Sequence, residues 1–175
     1  GHSQGSLVGM IASENKVDAF ISLAGAGRCI DEILIEQIGK QAPFLVADTE
    51  KVLNELKKGN TVEEFNPMLI SIFNKTVQPF LISWIKYNPQ EEIKKLTIPI
   101  LIINGSKDIQ VSNLDAELLH KSNPNSQLKI IAEMNHIFKE IKGDTTENMS
   151  SYNNPDSPIK QELLTIITTF VNELK

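Results

Sequence analysis

Three apolar stretches alternate along the chain with segments of helical periodicity. They are 17–24 (VDAFISLA), 98–103 (IPILII) and 128–132 (LKIIA), and all three are interpreted as buried strands. The second is almost continuously aliphatic, which is typical of a parallel strand covered on both faces. Because helical material separates the strands, the pattern favours βαβ units and predicts an α/β fold with a parallel sheet.

Helices are predicted beside these strands at 6–14, 113–121 and 158–174. The last carries a single apolar stripe, as an amphipathic terminal helix does. Its start is placed at Pro158, since proline is tolerated at the first helical position. The polar stretch 143–156 is predicted to be a surface loop.

A long segment, 30–96, separates the first two strands and contains no convincing strand. Its helical stretches lie near 31–40, 48–58, 62–75 and 79–86. Long insertions in compact domains usually have a function, so the segment is interpreted as a helical cap or lid. The core would then consist of 1–29 and 97–175. An oversized helical connection with no role in substrate access is the alternative.

Composition excludes some classes of partner. The net charge is −5 and the 17 basic residues are spread along the chain, so no nucleic-acid partner is expected. No apolar run reaches the roughly 18–20 residues of a membrane span.

The single cysteine, Cys29, cannot form an intramolecular disulfide and is interpreted as a small packed residue. The cellular compartment stays undetermined.

The chain begins with Gly1-His2-Ser3-Gln4-Gly5, which fits the pattern Gly-x-Ser-x-Gly. In that motif the serine lies on a strained turn between a strand and a helix, so that its hydroxyl projects from the sheet edge. Glycine on both sides is expected to avoid collision with backbone. The Gln4 N–H is the candidate oxyanion donor. A glycine-rich loop without catalytic function is the alternative interpretation.

Two further residues follow predicted strands. Asp108 comes after the strand 98–103 and a glycine turn, where a carboxylate could orient an imidazole, although an ordinary turn aspartate is equally compatible. His136 lies in a loop after the strand 128–132 and is the candidate general base. Of the other two histidines, His2 lies inside the glycine-serine motif and His120 in a predicted helix.

The order Ser3, Asp108, His136 is the chain order of α/β-hydrolase triads. With the stretches GHSQG, VDAFISLAGAGR, IPILIINGSKDIQV and MNHIFKEI, the sequence resembles the C-terminal portion of α/β-hydrolase serine esterases, including the serine-aminopeptidase-like and acyl-hydrolase branch. The resemblance implies a partial α/β-hydrolase fold and hydrolysis of a small-molecule ester or acyl substrate without metal or organic cofactor. It implies Ser3 as nucleophile, His136 as base and Asp108 as orienting acid.

The family also builds several strands and a second oxyanion donor before the glycine-serine motif, and these 175 residues contain neither. A truncated chain is therefore expected, with a rate loss on the order of 10²–10³ if it acts alone. Its open sheet edge predicts self-association. A non-catalytic remnant or binding module is the main alternative to a hydrolase. An acyltransferase or a peptidase could use the same triad.

Overall fold

A computed structural model describes residues 1–13 and 16–174, which form two compact units. The sheet unit comprises Gly1–Gly27 with Pro89–Lys175, and the helical unit comprises Arg28–Asn88. In chain order the elements are α1 Gln4–Ser13, β1 Phe20–Leu23, α2 Ile30–Gln41, α3 Val46–Lys57, α4 Ile70–Phe73, α5 Gln78–Ile85, α6 Pro89–Lys94, β2 Ile100–Gly105, α7 Asn113–Ser122, β3 Gln127–Ile131, α8 Thr145–Ser151 and α9 Gln161–Glu173. Two short 3₁₀ helices lie at Pro43–Leu45 and Pro67–Leu69.

The sheet is parallel, with the strand order β1-β2-β3. Every residue of β2 is buried, because β2 pairs on both sides and both faces are covered. The predicted α/β fold with a parallel sheet is confirmed. The third strand differs from the prediction of a buried strand: β3 pairs on one side only, and Ile130 is 38% exposed.

The side chains of β2 alternate between two apolar layers. Ile100 and Ile102 pack with residues of α1, α6 and α7, among them Met10, Ile93 and Leu119. Leu101 and Ile103 pack on the opposite face with Leu163 and Phe170 of α9. Since successive side chains of a strand point to opposite faces, a continuous aliphatic strand is what a doubly covered sheet requires.

The predicted loop 143–156 is wrong over part of its length, since it contains α8. Asp144 caps this helix, and its Oδ1 accepts hydrogen bonds from the N–H groups of Thr146 and Glu147 at 2.9 and 3.2 Å. Aspartate is among the strongest N-cap residues because its carboxylate satisfies N–H groups that have no partner in the first turn. Polarity therefore indicated exposure here, not absence of a helix.

The terminal helix begins at Gln161, so the predicted start at Pro158 is wrong. Ile159 forms an antiparallel bridge with Lys139, and the Lys160 N–H donates to the Phe138 carbonyl at 2.8 Å. This pairing holds the residues after Pro158 extended and delays the helix. At the other end of the chain, the predicted last residue of α1, Glu14, lies outside the described residues.

The helical unit has its own apolar core, to which α3, α4 and α5 contribute Leu53, Phe73 and Leu81. The predicted helix 62–75 is wrong at its start. The buried Gln78 amide donates to the Val62 carbonyl and accepts from the Val62 N–H, both at under 3 Å, and so holds that residue outside a helix. Only residues 70–73 of the predicted helix are α-helical.

The compact helical unit is shorter than the predicted segment 30–96, because α6 belongs to the sheet unit and packs against α1 and α7. That this unit serves as a cap stays a prediction.

Within residues 1–13 and 16–174 no single helix is long and apolar enough to cross a membrane. The segments Pro67–Phe73 and Gln78–Ile85, with a bend between them, together have the length and composition of a membrane span, and this is the only respect in which they resemble one.

Gly105 offers a test of how tightly the end of β2 is packed. A Cβ at this position would lie 2.0 Å from the Met134 carbonyl oxygen, so the loop after β3 would have to move. Gly105→Ala is expected to lower the free energy of unfolding by at least about 3 kcal/mol, measured by urea denaturation. Gly39→Ala, in α2, is the control: its nearest neighbour would be 3.7 Å away, and a gain of about 0.5–1 kcal/mol is expected. Equal effects at both positions would contradict the tight packing.

Candidate active site

The glycine-serine motif leaves a strand-like segment beside β1. His2 pairs in parallel with Leu23, whose N–H donates to the Gly1 carbonyl and whose carbonyl accepts from the Ser3 N–H, both at 2.9 Å. After Ser3 the chain enters α1 at once. The motif is therefore a strand–turn–helix connection, as the sequence predicted, and β1 holds its entry in place.

Ser3 has a φ of +52°, in the left-handed region that costs a non-glycine residue roughly 1–3 kcal/mol. Among the described residues, the other non-glycine residues with positive φ are Ala24, Glu133 and Phe138, just after β1 and in the loop after β3. Backbone strain is thus concentrated at the carboxyl ends of the strands. This is the edge at which doubly wound sheets bind ligands.

The two glycines of the motif differ in how much space a side chain would have at their positions. A Cβ on Gly1 would lie 2.0 Å from the Gly5 carbonyl oxygen, so no side chain fits there. A Cβ on Gly5 would meet no described atom within 4 Å. The expectation that both glycines avoid a collision is correct for Gly1 and wrong for Gly5 in the part of the chain that the structure describes.

Gln4 is the first residue of α1. The next two N–H groups are used in the turn, since Gly5 donates to the His2 carbonyl and Ser6 to the Ser3 carbonyl. The Gln4 N–H has no acceptor within residues 1–13 and 16–174. It is therefore available beside the Ser3 side chain, at a helix N-terminus whose partial positive charge favours an anion.

Asp108 and His136 meet at the carboxyl ends of β2 and β3. Oδ2 of Asp108 lies 2.8 Å from Nδ1 of His136, and the two side chains are 0% and 4% exposed. The other carboxylate oxygen accepts from the N–H groups of Gln110 and Val111 at 2.8 and 2.9 Å. A carboxylate only accepts, so Nδ1 of His136 carries the proton and Nε2 is left as a base.

His2 connects the loop of His136 to the glycine-serine motif. Its Nε2 donates to the His136 carbonyl at 3.0 Å, and its ring lies 4.8 Å from the His136 ring and 4.7 Å from that of Phe138. Burial lowers the pKa of His2, which favours the neutral ring. Ser3 thus directly follows in sequence a residue whose ring lies against that of His136. In the described part of the chain, neither Ser3 Oγ nor His136 Nε2 has a hydrogen-bond partner, so the structure does not join these two atoms by a hydrogen bond.

Sequence reasoning missed a group of buried amides behind the two loops. Asn135 accepts the N–H groups of Ile137 and Lys139 through Oδ1 and donates through Nδ2 to Asn148 and Ser151 of α8. Asn148 in turn donates to the Lys107 carbonyl. Asn135 could have been noticed in the sequence, because it immediately precedes His136. No sequence signal marked Asn148, which lies in a stretch predicted to be a loop.

Cys29 and Asp115 have structural explanations that involve no catalytic role. Burial raises the pKa of the Cys29 thiol, which opposes the thiolate that a nucleophile needs. Asp115 is buried in α7 and accepts from the Gly27 N–H and the Ser112 hydroxyl. Among the described residues no group of three or more His, Cys, Asp or Glu side chains is placed to hold a metal ion.

No protein-family model matches the chain. It is 28% identical over 160 residues to the esterase EstD of Thermotoga maritima, an alignment that covers 83% of this chain and 36% of the relative. A carboxylesterase of the thaumarchaeon Nitrososphaera gargenis superposes on 99% of the chain and 64% of its own, with a TM-score of 0.56 and 14% identity. The chain therefore has the α/β-hydrolase fold and is similar in sequence to an esterase. The resemblance identified in the sequence is confirmed.

A second solved hydrolase structure has a similar fold. The meta-cleavage product hydrolase CumD of Pseudomonas fluorescens matches 100% of the chain and 64% of its own, with a TM-score of 0.51 and 18% identity. The chain thus spans about a third of the length of the curated relative and less than two thirds of each of these structures. The partial match fits the C-terminal portion of an α/β-hydrolase.

Proposed function

We propose that this α/β-hydrolase chain carries the triad of a serine esterase, with Ser3 as nucleophile, His136 as general base and Asp108 as orienting acid. The observation that carries the proposal is the buried 2.8 Å contact between Asp108 and His136, on the sheet edge where Ser3 occupies a strained turn. An aspartate that only stabilised a turn would not be expected to accept a hydrogen bond from a buried imidazole as well. The similar proteins from Thermotoga maritima and Nitrososphaera gargenis are named as an esterase and a carboxylesterase, which supports ester hydrolysis as the reaction class.

The reaction follows from the hydrogen-bond directions. His136 Nε2 takes the proton of the Ser3 hydroxyl as Oγ attacks the ester carbonyl, and the Gln4 N–H donates to the oxygen that becomes negative. Asp108 stabilises the resulting imidazolium through Nδ1. The proton passes to the leaving alkoxide, which departs as an alcohol. Water then attacks the Ser3 acyl ester with His136 as base again, and the carboxylic acid leaves.

The substrate class proposed is a small carboxylic ester. Neither metal nor organic cofactor has a part in these steps, because the nucleophile, the base and one oxyanion donor all come from the chain. The ester specificity is the part of the proposal that the triad alone does not decide, since amide hydrolysis and acyl transfer use the same groups.

A fluorophosphonate probe and a chain-length series of p-nitrophenyl esters test the proposal in the full-length protein. The expected result is covalent labelling of the peptide that contains Ser3, with ester hydrolysis that the probe abolishes. Absence of both labelling and turnover would overturn the triad assignment. Labelling together with transfer of the acyl group to added alcohol, at the expense of the free acid, would replace the esterase by an acyltransferase.

A further inference from the structure

We infer that Asn148, on α8, is a positioning residue that fastens the loop of the acid to the loop of the base. The inference rests on the proposed function for its consequence in catalysis, but not for the geometry. Asn148 is 2% exposed and contacts both loops, each one residue away from a member of the triad.

On the acid side, Nδ2 of Asn148 donates to the carbonyl of Lys107 at 2.6 Å. That carbonyl belongs to the peptide group that enters Asp108. On the base side, Oδ1 of Asn148 accepts from Nδ2 of Asn135 at 3.1 Å, and Asn135 immediately precedes His136. A single buried amide therefore bridges the two peptide segments whose spacing determines the contact between Asp108 and His136.

The directions of these hydrogen bonds are fixed at both ends by backbone groups. Oδ1 of Asn135 accepts from the N–H groups of Ile137 and Lys139 at 3.2 and 2.9 Å, so its Nδ2 must face α8. The carbonyl of Lys107 can only accept, so the amide nitrogen of Asn148 must face it. Neither amide can be turned around without placing like groups together, and the arrangement has one low-energy state.

Ser151 completes the attachment of the base loop to α8. Its hydroxyl accepts from Nδ2 of Asn135 at 2.8 Å and donates to the Asn148 carbonyl at 2.7 Å. The side chains of Asn135, Asn148 and Ser151 are all buried and all partnered. Satisfied buried polar groups of this kind specify one arrangement of the chain. The loops also touch directly, through the Lys107 N–H and the Met134 carbonyl at 2.9 Å, so loss of Asn148 loosens the pair without separating it.

The test uses Asn148→Asp and Asn148→Ala in the full-length protein, with Asn154→Asp as the control. Asn154 follows α8 closely and is exposed. Asn148→Asp keeps the acceptor for Asn135 but turns a carboxylate oxygen toward the Lys107 carbonyl. Asn148→Ala removes both bonds and keeps α8, since alanine is the strongest helix former. It serves as the second variant if the first does not fold.

Two readouts are needed. The first is the downfield proton resonance of the His136 Nδ1–H, assigned by its loss in His136→Gln, which reports the Asp108 contact whether or not the protein is active. The second is kcat and KM on a p-nitrophenyl ester. The expected result is a shift or loss of the resonance in both Asn148 variants and a fall in kcat of roughly 10- to 100-fold with little change in KM, since misplacement by about 1 Å can have that effect.

Several outcomes would overturn the inference. A folded Asn148 variant with the resonance and kcat of the unmodified protein would do so, as would a loss of activity that only follows the folded fraction. The same change in Asn154→Asp would also contradict it. If the unmodified protein hydrolyses no ester but the resonance responds to Asn148, the positioning role stands and the proposed function fails.

Discussion

Ser3→Ala is expected to reduce ester turnover in the full-length protein by on the order of 10⁴- to 10⁶-fold, because no other hydroxyl occupies the strained turn before α1. His136→Ala should have an effect of similar size, since the hydroxyl without its base is a weak nucleophile. The double variant should be no slower than either single variant within a few fold, because residues that act as one unit do not contribute additively.

Matched controls exist for both substitutions. His120 lies on α7, half-buried, with Nδ1 near the Ser126 hydroxyl, and His120→Ala should leave kcat within about 2-fold. Ser83→Ala, at an exposed position of α5, should do the same. Steady-state kinetics on one p-nitrophenyl ester compares these five variants with the unmodified protein. Multiplicative losses in the double variant would mean that Ser3 and His136 act independently, against the proposed mechanism.

Asp108→Asn is expected to lower kcat by roughly 10⁴-fold through the tautomer of His136. The N–H groups of Gln110 and Val111 require an oxygen at Oδ1, so the new amide must place its NH₂ where Oδ2 now faces the imidazole. Nδ1 would then have to accept, and the proton would move to Nε2. The base that Ser3 needs would be lost while the fold is kept.

The control for Asp108 requires a choice that the sequence could not make. Asp115 is a poor control, because it is buried and accepts from the Gly27 N–H and the Ser112 hydroxyl. Its replacement by asparagine would reverse or remove one of these buried hydrogen bonds and is expected to cost about 1–3 kcal/mol of stability. Asp156 is exposed and is the better control: Asp156→Asn should leave kcat unchanged. Equal losses from Asp108→Asn and Asp156→Asn would remove the support for Asp108 as the acid.

Local pattern was sufficient for much of the sheet unit. A run of aliphatic residues such as IPILII has few alternatives to a strand covered on both faces, and β2 is one. The glycine-serine motif predicted a strand–turn–helix because only glycine fits at position 1 and the helix follows at once. Asp108 and His136 each follow a strand, so the parallel sheet brings them to one edge. The aliphatic run, the glycine-serine motif and the turns after the two strands are each patterns of residues that are neighbours in sequence.

Elements of mixed polarity were decided by contacts that sequence does not display. Residues 158–160 have the composition of a helix start, yet Ile159 pairs with Lys139 and the helix begins only at Gln161. Val62 is held outside a helix by Gln78, which lies 16 residues further along the chain. In both places a tertiary hydrogen bond outweighs a weak local preference.

The sequence by itself determined the parallel α/β fold and the order Ser3, Asp108, His136 along it. Only the tertiary structure decided that β3 is an edge strand and that Asp108 and His136 touch. It also decided that Asn148, in a stretch without any motif, bridges the two loops. The physical reason is range: periodicity and turn chemistry act over a few residues, whereas these contacts join segments that become neighbours only when the sheet forms.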